Sequence, residues 1–154
     1  MNLSTNENPS QNSLDTTQQN GQGYLIIHVT TARGAIPLEG AQVSIRNYLE
    51  EPSEGRGDVI ATLISGTDGN TARIPLSAPP RSASLKPGNG TPFTPYIAEV
   101  RLEGYYDQTY SGIPVFDGIT AIQPADLIPL PENGQSDSFT PDSTRDFENT
   151  APNL

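Results

Sequence analysis

The sequence predicts an all-β fold, an antiparallel sandwich of seven short strands. Apolar and polar residues alternate with period two in runs rich in Val, Ile and Tyr. The chain's 14 Gly and 15 Pro punctuate those runs at short intervals. No segment longer than about ten residues keeps a 3.6-residue apolar period without a Gly or Pro inside it.

The first strand is read at residues 24–31, a run rich in β-branched residues with Leu25, Ile27 and Val29 in one phase. Residues 41–46 follow, with Ala41, Val43 and Ile45 on one face. The third strand, 59–64, is closed by Thr67-Asp-Gly-Asn70, because Asp-Gly readily adopts the positive φ angles of a hairpin turn. Residues 71–76 come next, and Pro75, having no N–H to give a ladder, marks an edge or a strand end. Residues 77–92 are rich in Pro, Ser and Gly and are read as the longest loop. Strands at 96–102 and 106–110 flank a Gly104-Tyr-Tyr turn, and 119–130, broken at Pro124 and Pro129, closes the domain. Phe116-Asp-Gly-Ile119 reads as the turn before that last strand.

Composition divides the chain in three. Residues 1–23 hold 3 apolar residues, 24–130 hold 44, and 131–154 hold 4. Only the middle segment has enough to offset the entropy of ordering a chain, so two disordered polar tails are expected around one domain. The net charge of −10 falls as −2, −4 and −4 over those segments.

These counts limit the chemistry. With no Cys there is no disulfide, thiolate metal site or cysteine nucleophile. One His cannot form the clusters that catalytic zinc sites use. Eight Lys and Arg against 18 Asp and Glu argue against a nucleic-acid partner, whose phosphates need cations. No apolar run approaches the roughly 20 residues of a membrane helix, and residues 1–23 show neither a basic nor an apolar signal region. His28 lies out of phase with Leu25 and Ile27 and is read as a strand histidine. Glu50, Glu51, Glu54 and Asp58 lie on one Gly- and Pro-containing loop, read as solvated and not as a paired acid and base. No catalytic residue, metal or cofactor is expected.

Ile36-Pro-Leu-Glu-Gly-Ala-Gln-Val-Ser-Ile45, then Thr67-Asp-Gly-Asn-Thr71, then Tyr96 through Gly104-Tyr105, resemble the transthyretin-like (prealbumin-like), or carboxypeptidase regulatory-like, β-sandwich. Further stretches are Thr30-Thr-Ala-Arg-Gly-Ala-Ile-Pro-Leu38, Ala78-Pro-Pro80, Ser84-Leu-Lys-Pro-Gly88, Pro95-Tyr96 and Ile113-Pro-Val-Phe-Asp-Gly-Ile-Thr-Ala-Ile-Gln123. In this order they resemble a small bacterial family related to the amino-terminal domain of clostridial spore cortex-lytic enzymes, often labelled peptidoglycan-binding. The resemblance covers 24–130 and implies a spore or cell-envelope setting. The residues beyond it leave no room for a lytic catalytic domain, so a binding role and not hydrolysis is expected.

The candidate ligand residues are aromatic. Tyr105, Tyr106 and Tyr110 cluster after Gly104, and Phe93 and Tyr96 approach from the preceding strand. If Tyr106 and Tyr110 face outward on one strand, their rings stand about 7 Å apart, a spacing suited to stacking on a glycan. Asp107 or Gln108 would then supply hydrogen bonds. The competing expectation is that two of these tyrosines anchor the core with their hydroxyls at its rim. The partner is thus peptidoglycan or an envelope protein. The alternative is a structural subunit that self-assembles or docks through the sandwich edges at 71–76 and 119–129 and the amino-terminal tail.

Overall fold

The computed structural model describes residues 20–51, 56–85, 87, 88 and 90–132. The expected tails lie outside the described residues except for 20–23 and 131–132, as does Glu54 of the acidic loop. The strands are β1 (Gly21–Thr31), β2 (Ile36–Pro37), β3 (Gln42–Asn47), β4 (Val59–Ile64), β5 (Ile74–Ala78), β6 (Phe93–Arg101), β7 (Gln108–Phe116) and β8 (Thr120–Leu127). A short 3₁₀ helix, Arg81–Leu85, follows β5. The seven expected strands are present, and β2 is a two-residue addition.

Two four-stranded sheets form a sandwich. In the first, β1 lies between β8 on one side and β5 and β2 on the other. The second runs β4-β3-β6-β7. The inward phase of each strand follows its alternation: Leu25, Ile27 and Val29 of β1 pack with Val43 and Ile45 of β3, Val100 of β6, Val115 of β7 and Leu127 of β8 in one buried cluster. The pairing departs from the expected antiparallel arrangement in one place, since β1 and β8 run parallel, Tyr24 opposite Thr120 through Thr31 opposite Leu127. Period-two alternation is common to both kinds of ladder, so it could not distinguish them.

Asp117 in the β7–β8 turn ties three segments together. Its carboxylate accepts the N–H of Gln22 at 3.0 Å and that of Arg81 at 2.9 Å. The Arg81 guanidinium in turn donates to the Asp117 carbonyl at 3.3 Å. The backbone N–H groups of Arg81 and then Gln22, with the nearby Arg81 charge, hold the carboxyl below its ordinary 3.8. A carboxyl lowered in the folded state contributes stability above its unfolded pKa and loses it as pH falls through the folded value. Asp117→Ala is therefore expected to lower Tm at neutral pH. It should also flatten the acid limb of Tm against pH below about pH 4, followed by circular dichroism melts. An unchanged acid limb would show that this carboxylate does not hold the turn.

Candidate functional site

The segment between β6 and β7 carries the aromatic candidates. Gly104, at φ 86°, lets the chain turn, and the Tyr105 N–H donates to the Leu102 carbonyl at 3.1 Å. The turn is then pinned to the chain leaving β8. Tyr106 N–H donates to the Ile128 carbonyl at 2.9 Å, and Leu130 N–H donates to the Gly104 carbonyl at 2.8 Å. Tyr105 and Pro129 form the bridge between them.

This pairing decides where each predicted residue goes. Tyr105 is half-buried against the core and lines an open concavity of about 560 Å³ at the end of the sandwich, with Gln42, Arg101, Asp107 and Leu130 around it. Arg101 Nε and Asp107 Oδ2 are 3.0 Å apart, both exposed, so the pair adds little stability but sets two charges beside the ring. Tyr106 is 48% exposed but precedes β7. Tyr110 stands opposite Ala98, whose side chain is fully buried, so it shares the inward phase and packs against the core. Its hydroxyl hydrogen-bonds with the backbone of Asp126, and burial raises its pKa. Gln108, opposite the buried Val100, has the same inward phase and is half-buried.

The structure therefore does not bring Tyr106 and Tyr110 together as an outward pair. The expected spacing assumed a strand running through 106, whereas β7 starts at Gln108 and Tyr106 is held by Ile128. Tyr96 likewise tucks into the core and donates its hydroxyl to the Ser77 carbonyl at 2.7 Å. Phe93 meets Phe116 with ring centroids 5.5 Å apart. Two residues of the concavity, Gln42 and Arg101, were not singled out from sequence. They adjoin because they pair in the β3–β6 register, which composition does not carry.

Elsewhere, His28 Nδ1 lies 2.8 Å from Asn70 Oδ1, and Asn70 Nδ2 donates to Asp68 Oδ2 at 2.8 Å. The Asn70 hydrogen bonds hold the Asp68 carboxyl below its ordinary value. On the outer face of the second sheet Glu99 sits between Arg46 at 3.1 Å and Arg56 at 3.3 Å. Among the described residues, no three His, Cys, Asp or Glu side chains converge to hold a metal ion. No helix among them is long and apolar enough to cross a membrane.

No known family model matches the sequence, and no curated protein matches it. Solved structures do show similarity. One is the Bacillus anthracis TIE protein, at 15% identity and TM-score 0.47 over 71% of this chain and 17% of that one. Another is GBS52, the minor pilin of the Gram-positive pathogen Streptococcus agalactiae, at 14% identity and TM-score 0.47 over 73% and 46%. A third is the mercury-inhibited catechol 1,2-dioxygenase of Acinetobacter sp. ADP1, at 12% identity and TM-score 0.48 over 76% and 55%. This chain spans less than two thirds of each of those three proteins.

Proposed function

We propose that this chain is a non-catalytic binding module of a spore or cell-envelope system, and that it recognises peptidoglycan glycan strands at the concavity beside Tyr105. The observation that supports this reading is the set of groups around one open hollow: the Tyr105 ring, the Arg101 and Asp107 charges and the Gln42 amide. An aromatic ring with polar groups beside it suits a sugar, which offers an apolar face and a rim of hydroxyls. Tyr106 stands exposed on the same turn but does not line the hollow. The sequence resemblance set out above points to the same ligand class.

Co-sedimentation with purified peptidoglycan at low and high salt tests this. The parent protein is expected to pellet at both, because ring stacking is not screened by salt as a charge attraction is. Asp107→Ala combined with Gln42→Ala, both in the lining of the hollow, should reduce retention by roughly tenfold or more, as loss of central contacts does. Both positions are exposed, so the fold should survive. Failure to pellet at either salt would remove peptidoglycan as the ligand. Pelleting that the double variant leaves unchanged would move the site elsewhere. No muropeptide should be released during the incubation.

A further inference from the structure

We propose that the hollow beside Tyr105 is one end of a track along the outer face of the second sheet, and that a glycan strand lies lengthwise across two adjoining hollows. This rests on the glycan reading and deepens it: the ligand is a run of several sugars and not a single disaccharide.

A second hollow, of about 340 Å³, opens on the same face, with Arg46, Tyr48, Ile97, Glu99, Thr109 and Ser111 in its lining. The pleat ties it to the first. Val43 and Ile45 of β3 and Ala98 and Val100 of β6 are buried, so the residues alternating with them point out of the sandwich. The β3–β6 register sets those residues in three rungs: Gln42 beside Arg101, Ser44 beside Glu99, and Arg46 beside Ile97. Thr109 of β7, opposite Glu99, extends the middle rung. The first rung lines the hollow of Tyr105. Glu99 and Thr109 of the second rung, and both residues of the third, line the other hollow. Successive rungs lie about 7 Å apart, so the two hollows adjoin.

The junction between them is low. β3 contributes Ser44 there, a small and half-buried side chain. The Glu99 side chain is only 12% exposed, because Arg46 and Arg56 hold it at 3.1 and 3.3 Å. It therefore lies against the sheet and does not stand across the track. From Gln42 to Arg46 the rungs span about 13 Å, and both hollows reach beyond them, further than one sugar ring extends.

The chemistry along the track suits a sugar chain. Tyr105 follows the end of β6 and Tyr48 the end of β3, and because these strands are antiparallel the two rings stand at opposite ends of the sheet. Both line their hollows, and Tyr48 is 39% exposed. Between the rings lie the Gln42 amide, the Thr109 and Ser111 hydroxyls and the Arg101 guanidinium. Stacked pyranose faces at the two ends and hydroxyl rims between them match that order. In the two linings three arginines stand against four acids, so the track is nearly neutral on a chain of charge −10. A ligand held there depends on stacking and hydrogen bonds more than on net charge.

Isothermal titration calorimetry of the full chain with soluble peptidoglycan glycan fragments, a disaccharide, a tetrasaccharide and a hexasaccharide, tests this. Affinity is expected to rise roughly tenfold or more from the disaccharide to the hexasaccharide, because the second hollow is filled by a ligand already held in the first. Tyr48→Ala removes the ring of the second hollow and should bring hexasaccharide affinity down by a similar factor. Should Tyr48→Ala unfold, Thr109→Ala, at an exposed strand position, takes its place. A parent protein that binds all three fragments equally overturns the track and leaves the hollow beside Tyr105 as the whole site. A length dependence that persists in a folded Tyr48 or Thr109 variant also overturns it, since the further sugars would then lie elsewhere. Binding of none of the fragments overturns the glycan reading and this inference together.

Discussion

Gly69→Ala is expected to cost about 2–5 kcal/mol, a large part of the stability of a domain this size. Gly69 sits at φ 78°, where an L side chain is strained by about 1–2 kcal/mol. An added Cβ would also run into the Val29 carbonyl, with the Pro37 side chain 3.1 Å away. Neither neighbour can yield cheaply. Val29 is fully buried in the middle strand of its sheet, and its N–H donates to the Gly69 carbonyl at 2.7 Å. Gly34→Ala is the control: φ is 85°, but a Cβ there meets open space, so only the conformational cost of about 1–2 kcal/mol should appear. Urea denaturation of both variants measures the difference. Equal losses would mean that the turn does not press on β1.

The Asp68-Gly69 turn was legible as a turn, but its packing was not. Sequence marks a residue able to take positive φ, whereas the contact with Val29 depends on the approach of a strand some forty positions earlier. The core faces of β1, β3 and β6 were readable for a similar local reason, because alternation alone assigns Leu25, Val43 and Val100 to one side. Strand limits were less readable wherever tertiary pairing recruits residues of weak β propensity. β1 starts at Gly21, and β7 continues through Gly112 and Pro114 to Phe116. In the other direction, Thr71 was read as a strand residue but serves as a cap, its Oγ accepting the Ile27 N–H at 3.0 Å. The candidate site suffered most. One residue of phase determines whether a tyrosine faces ligand or core, and the start of β7 supplied that phase from Tyr106's bond to Ile128.

Ile27→Ala is expected to destabilise by about 2–5 kcal/mol, the range for truncating a large aliphatic side chain in a sealed core. Ile27 is 0% exposed and lies in the strand that joins β2, β5 and β8. Its backbone is held on both counts by Thr71, whose Oγ accepts the Ile27 N–H and whose own N–H donates to the Ile27 carbonyl. With the strand fixed in this way, neighbours cannot collapse into the space left by the lost methyls, which favours the upper part of the range. Ile122→Ala on the same sheet makes the contrast. That side chain is 64% exposed on the outer face, and its loss should stay within about 0.5 kcal/mol. Both are isoleucines in strands, so propensity changes alike and the difference isolates burial. Chemical denaturation of the two variants in parallel gives that difference directly. A ratio near one would contradict the phase of β1 and β8.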